Sequence, residues 1–290
     1  MKIAGFSFVR NAIQYDYPIV EAITSILPIC DEFVVAVGQS DDNTLELIRS
    51  IQSDKIKIIE TIWDDHLRKG GQVLAIETDK ALAAVSPDAD WAFYIQGDEV
   101  VHERYLDNIH KAAQQYKDNP EVEGLLFNYL HFYGSYQYIA DSLKWYRREI
   151  RMIRKKAEVV SYKDAQGFRT KDNQKLRVKL IDAYIYHYGW VKEPQKQQKK
   201  QETFHQYWHD DATLEKMVIK AEEFDYSGID SLALFDGTHP AVMQIRVENE
   251  NWPFDHNLSH KKLSFKEKIR LQIDQTFGWR IGEYKNYKLL

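Results

Sequence analysis

The feature that most constrains this chain is the run Trp91-Ala92-Phe93-Tyr94-Ile95, an apolar stretch that stops abruptly at Gln96-Gly97-Asp98-Glu99. A short, nearly unbroken apolar run with polar bounds fits a strand buried on both faces, the kind found in parallel sheets covered by helices. In open sheets of that type, ligands bind beyond the carboxyl ends of the strands. Asp98 and Glu99 then stand where a ligand is met. A phosphate shared with Mg²⁺ or Mn²⁺ suits them, because hard cations prefer carboxylate oxygens. The same cluster is also compatible with a plain strand-to-helix turn in which Glu99 or Glu103 favours the positive end of the next helix.

The residues before this run repeat the same grammar. Residues 2–9 read as a first strand closing on Arg10-Asn11, and Ile19, Val20, Ile23, Ile26 and Leu27 recur at helical spacing behind Pro18. Residues 33–37 form a second short β-branched run, followed by the polar turn 38–44 and a helix carrying Leu45, Leu47, Ile48 and Ile51. Residues 55–62 supply a third strand, and Gly70-Gly71 precedes a helix over Leu74–Val85. Strands alternating with helices of this length predict βαβ units and a mainly parallel sheet. Right-handed crossovers bring the four strand tips to one edge, so Arg10-Asn11, residues 40–44, residues 63–65 and residues 96–99 are expected around one cleft. After a helix over about 103–117 the pattern changes to short, often alternating runs (122–132, 144–155, 158–162, 175–180, 183–188), expected as added strands, some antiparallel. Residues 192–200 lead into a helical stretch with Phe204, Tyr207 and Trp208, another helix is expected from Asp211 to Phe224, and a last one near 264–277.

Composition limits the function. At 290 residues and 44% hydrophobic the chain can build a full core, and a net charge of −5 argues against a nucleic-acid partner. The single cysteine, Cys30, excludes an internal disulfide framework and a Cys-rich zinc site. The apolar residues before Arg10 are too few for a secretion signal, and residues 124–140, though free of Asp, Glu, Lys and Arg, are interrupted by Asn128, His131, Ser135 and Gln137. A cytoplasmic protein is expected.

The order of elements, the turn Ser40-Asp41-Asp42-Asn43-Thr44, the Gly70-Gly71 helix start and the Gln-Gly-Asp-Glu after strand four resemble a family 2 glycosyltransferase with a GT-A fold. The resemblance covers about residues 1–190. It implies an α/β architecture: a Rossmann-like, mainly parallel sheet with helices on both faces, extended by antiparallel strands and C-terminal helices. Residues 1–190 would form the GT-A domain and 191–290 a mainly helical extension packed on it. It also implies transfer of a sugar, with inversion, from a UDP-, GDP- or dTDP-sugar to a glycan or lipid-linked glycan in cell-surface polysaccharide synthesis. Two departures stand out: Gly38 occupies the position of an acid that usually meets the base, and Gln96 replaces the first Asp of Asp-x-Asp. A catalytically weak nucleotide- or glycan-binding module on the same scaffold is the alternative. A nucleotidyltransferase is disfavoured, since no Gly-rich, Lys/Arg-containing loop follows strand one.

The resemblance assigns the metal to Asp98 and to a late histidine, His187 in Tyr-Ile-Tyr-His-Tyr-Gly-Trp; a histidine bonded within an aromatic core is the other reading. Imidazole tolerates Mn²⁺ better than Mg²⁺. Arg10, Asn11, Asp42, Thr44, Gln96 and Gly97 are the nucleotide-binding candidates, Asp42 and Thr44 also being compatible with helix capping. Asp141, Glu149 and Asp164 are candidates for the base that activates the acceptor, with Glu149 preferred. Tyr133, Trp145 and Arg148 are expected on the acceptor side, where aromatic faces suit sugar rings. Lys192 is expected on a solvated face with the rest of 192–200. Lys196, Lys199 and Lys200 near Phe204 and Trp208 allow at most weak contact with the inner face of a membrane.

Overall fold

A computed structural model describes residues 1–67, 70–156, 158–208, 221–259 and 261–290, and within 204–206 the backbone alone. The helix expected from Asp211 lies largely outside the described residues.

The first half follows the apolar pattern. Strands β1 (Ile3–Val9), β2 (Glu32–Gly38), β3 (Ile56–Thr61) and β4 (Trp91–Tyr94) are all parallel and lie in the order β3-β2-β1-β4. Their side chains alternate between two cores, as the pleat requires. Ile3, Phe33, Val35, Trp91 and Phe93 face α1 (Ile19–Ile26), α2 (Thr44–Arg49) and α4 (Leu106–Tyr116), while Ala4, Phe6, Val34, Ala92 and Tyr94 face α3 (Gln72–Ala84). Gly71 makes the entry to α3 with φ of +69°, a conformation that costs glycine little.

The second half builds outward from β4. After β5 (Glu99–Val101) come β6 (Gly124–Tyr133), β7 (Ser135–Ala140) and β8 (Arg148–Arg154); β8 is antiparallel to both β4 and β6. The strands β9 (Val159–Tyr162) and β10 (Gly167–Thr170) form a separate hairpin. The two runs expected over 175–188 are one strand, β11 (Arg177–Trp190), which pairs parallel with β6 and antiparallel with β5, with register shifts between Leu180 and Tyr184 and between His187 and Trp190. The sheet also gains β7, which was not expected: Gly134, at φ of +74°, turns the chain back so that β7 pairs with β6.

Beyond residue 190 lie α5 (Pro194–Gln206), β12 (Leu232–Leu234), α6 (Gln244–Glu248), α7 (Phe265–Phe277) and β13 (Lys288–Leu289). Both late strands join the main sheet, β12 on β7 and β13 on β11. Among the described residues, no helix is long and apolar enough to cross a membrane.

Candidate functional site

The tips of β1 and β4 open onto a cavity of about 700 Å³, with Arg10, Trp63 and Gln96-Gly97-Asp98 in its wall. Its charged end is made by side chains from distant parts of the chain. Asp98 Oδ2 accepts from Lys200 Nζ at 3.2 Å, and Asp98 Oδ1 lies 3.8 Å from His187 Nε2. Burial alone would raise the Asp98 carboxyl, but the ammonium of Lys200, together with that of Lys192, outweighs it and holds Asp98 well below the usual carboxylate range. Burial pushes His187 down against the pull of Asp98 and Glu99, which favours the neutral ring.

A hydrogen-bond chain orients that ring. His131 Nε2 lies 2.6 Å from the carbonyl oxygen of Tyr146, which can only accept, so this nitrogen carries the proton. Burial, followed by His187, keeps His131 neutral, and its Nδ1 must therefore accept from His187 Nδ1–H at 3.1 Å. The lone pair of His187 is then left on Nε2, the atom beside Asp98. An outer histidine fixing the tautomer of an inner one is how metal ligands are commonly oriented. Gly189 keeps the adjoining space open, because a Cβ there would lie 2.7 Å from both Asp98 Oδ2 and His187 Nε2. Among the described residues, no group of three His, Cys, Asp or Glu side chains could hold a metal by itself. Two donors nevertheless fit a hard cation whose remaining ligands are substrate phosphate oxygens.

Glu99 has a different task from its neighbour. It is fully buried and forms a bidentate pair with Arg151 at 2.7 and 2.8 Å, while Tyr129 Oη and the Gln96 backbone N–H also donate to it. Arg151 in turn donates to the carbonyl of Gln166 at 2.8 Å. One buried ion pair thus ties the Gln96 turn, which carries Asp98, to the loop at 163–166.

That loop brings Asp164 and Gln166 to the cavity wall. Lys163 and Ala165 flank Asp164 with φ of +56° and +64°, a strained conformation for residues with a Cβ, of the sort that persists at functional sites. Burial raises the Asp164 carboxyl above its ordinary value. Also in the cavity wall, Trp63 packs against Phe8 (5.7 Å between ring centroids) and Tyr207 (5.6 Å), with the Arg10 guanidinium 5.6 Å over its ring. Trp63 Nε1 is buried without an acceptor among the described residues. A second cavity, of about 430 Å³, adjoins the first across Trp190, which lines both. Its aromatic wall includes Tyr133, stacked on Trp190 at 5.7 Å, and Trp145, edge-on to Trp190 at 6.0 Å.

Arg10, Gln96, Gly97, Asp98 and His187 are therefore brought to one cavity, and Tyr133 and Trp145 to its neighbour. The other candidates are not. Asn11 bonds Asp41, Thr44 Oγ1 accepts from the Ala12 N–H at 2.7 Å, and Asp42 accepts from the Gln14 N–H at 2.8 Å, so these three fasten the 11–14 loop to the exit of β2. Asp141 pairs with Lys261 at 3.1 Å outside both cavities, and Arg148 donates to Asn128 at 3.1 Å. Glu149 sits behind the wall, where its Oε1 accepts from Gln166 and its Oε2 has no partner among the described residues. Burial pushes its carboxyl to about 8, against the opposing pull of Arg151. A carboxyl that keeps its proton at neutral pH cannot accept another. The expected solvated face over 192–200 is also corrected, because Lys192 and Lys200 are buried. Their ammonium groups find acceptors, Lys192 at the Asp16 carbonyl (2.7 Å) and Lys200 at Asp98 and the Gly189 carbonyl (2.9 Å). Lys200 thus lies inside the site and not in the surface cluster expected, and the Phe204 side chain lies outside the described residues.

No family model and no curated protein matches the chain. Solved structures do, weakly. S. aureus TarS 1-349 in complex with UDP is similar at 20% identity and a TM-score of 0.34, over 46% of this chain and 37% of that one. 4-Diphosphocytidyl-2C-methyl-D-erythritol synthase from Anaerococcus prevotii is similar at 11% identity and a TM-score of 0.36, over 53% and 71%. Glucosyl-3-phosphoglycerate synthase from Mycobacterium tuberculosis, in complex with Mn²⁺, UDP and phosphoglyceric acid, is similar at 21% identity and a TM-score of 0.30, over 45% and 43%. The match thus spans 37% of the UDP-bound TarS chain and 43% of the M. tuberculosis synthase chain. Likenesses at these TM-scores carry no argument about activity, which has to be read from the cavity itself.

Proposed function

We propose that the protein transfers a sugar from a nucleoside-diphosphate sugar to a hydroxyl of a glycan or lipid-linked glycan, by single displacement with inversion. The observation that carries this reading is the lining of one cavity, which joins the charged groups Asp98, His187 and Lys200 to the aromatic rings of Phe8, Trp63 and Tyr207. Trp63, Phe8 and Tyr207 offer a stacking surface for the base. Asp98 and His187 would hold the divalent cation, Mn²⁺ or Mg²⁺, which when bound neutralises the departing diphosphate. Lys200 adds a second positive charge at the same end.

On the acceptor side, the rings of Tyr133, Trp145 and Trp190 suit the apolar faces of sugars. Asp164 is the base of this reading, because it lines the main cavity and Glu149 and Asp141 do not. The acceptor oxygen forms its bond to the anomeric carbon as the bond from that carbon to the diphosphate breaks, and the hydroxyl proton passes to the Asp164 carboxylate. Its burial-raised pKa brings it nearer to that task than an ordinary aspartate.

The test is titration of the protein with UDP-, GDP- and dTDP-sugars, with and without Mn²⁺, followed by measurement of nucleoside diphosphate release. Mn²⁺-dependent binding with turnover is expected, lost in Asp98→Asn. Asp164→Asn should keep donor binding and lose about 10²- to 10⁴-fold in turnover. Metal-indifferent binding without any turnover would instead make the protein a binding module.

A further inference from the structure

The last helix carries a second apolar stripe besides the buried Leu271. Phe265, Ile269, Ile273 and Phe277 recur every fourth residue and share one side of α7. That side faces solvent: Phe265 is 78% exposed, Ile269 46% and Phe277 77%, and Trp279 just beyond the helix is 68% exposed. The opposite side meets the protein through the buried Leu271 and through Asp274. Asp274 pairs with Arg147 at 3.0 Å and with Arg280 at 2.8 Å, and Arg147 also bonds Glu283 and the Gly278 carbonyl. Ion pairs on the inner side therefore hold the apolar ridge outward. Burial cannot be the purpose of an apolar stripe so anchored.

Charge identifies what the ridge meets. Residues 261–290 hold eight Lys or Arg against three Asp or Glu, a net charge of +5, in a chain whose total is −5. Lys266, Lys268 and Arg270 are exposed and flank the ridge on both sides. Aromatic and aliphatic residues on one face with lysines beside them are the pattern of a helix lying in the headgroup region of a bilayer. We infer that α7 and Trp279 dock the protein on an anionic lipid surface, with Phe265, Phe277 and Trp279 inserted among the acyl chains and the lysines among the headgroups. The helix is coupled to the aromatic cavity, since Arg280 donates to the Trp145 carbonyl at 2.7 Å. Docking there would bring that cavity close to the lipid, where a lipid-linked acceptor resides; this last step rests on the proposed function, whereas the docking does not.

Sedimentation of the full chain with vesicles tests it, using phosphatidylcholine alone and phosphatidylcholine mixed with phosphatidylglycerol. Binding to the anionic vesicles only, weakening steeply as salt is added, is expected. The triple variant Phe265→Ser, Phe277→Ser, Trp279→Ser should bind about tenfold or more weakly with unchanged melting. Brominated lipid should quench tryptophan emission in the native protein and much less in Trp279→Phe. Failure to bind anionic vesicles, or equal binding by the triple variant, overturns the inference. So does a dimer in analytical ultracentrifugation that the same substitutions abolish, which would make the ridge an interface between copies. Vesicle binding without any sugar-nucleotide binding would sink the proposed function alone.

Discussion

Replacing Glu149 with glutamine separates a buried acid from a working base. In the folded protein this carboxyl titrates near 8, because burial disfavours its charged form. In the unfolded chain it would titrate at about 4.3. Between those values the folded state holds a proton that the unfolded state has released, so the contribution of Glu149 to stability is full below the unfolded pKa and falls as pH rises, at ~1.4 kcal/mol per pH unit. From about pH 5.5 to 7.5 the native protein should lose ~2.5 kcal/mol relative to Glu149→Gln, whose neutral amide keeps the bond from Gln166 and does not titrate. In a chain of this length that is roughly 5 °C in melting temperature. The comparison has to be native against variant, since Lys192, pushed down to about 7, tilts the profile the other way above that pH. Urea unfolding across the pH range measures it. Parallel profiles for the two proteins would refute the buried, protonated carboxyl. A 10²-fold or greater fall in turnover in the variant would restore Glu149 as a base.

Lys200→Met removes the ammonium that competes for Asp98 and should tighten Mn²⁺ binding about tenfold, as judged by calorimetry without nucleotide; unchanged affinity would take Asp98 out of the metal site. Arg151→Met leaves Glu99 charged and unpaired in the core and should cost ~3–5 kcal/mol in denaturant unfolding, while the double variant with Glu99→Leu should recover much of that. Gly189→Ala places a methyl within 2.7 Å of Asp98 and His187, and should abolish Mn²⁺-dependent donor binding while shifting the melting temperature little. A variant that binds donor normally would show that this space is not used.

The four parallel strands were legible because strands buried on both faces have to be apolar throughout, and their polar tips mark where burial ends. The separation of Asp98 from Glu99 was less so, although alternation along a strand sends adjacent side chains to opposite faces. One carboxylate faces the cavity and the other the core. Helix α5 was hard to read for a physical reason. Pro-Gln-Lys-Gln-Gln-Lys-Lys has no apolar face, and Lys200 is buried by its contact with Asp98 and the Gly189 carbonyl, groups remote in sequence. Asp164 was among the candidates, but nothing in its surroundings marked it above Glu149; what distinguishes it is the left-handed backbone on either side, which sequence does not display at Lys163 or Ala165. Tyr133 and Trp145 were legible as part of an aromatic excess, while their assembly around Trp190 depends on the end of β11.

That strand end has a consequence for how the protein can change. Tyr186 and Tyr188 point into the core, and regular alternation would send Trp190 after them; the irregularity between His187 and Trp190 re-aims it into the partition between the two cavities. An insertion or deletion at 184–190 would swap ligand, gap and partition in one stroke. Adaptation to new acceptors is therefore left to the connecting segments around Trp145 and over 224–230, which can lengthen or shorten without disturbing the ladder that presents His187.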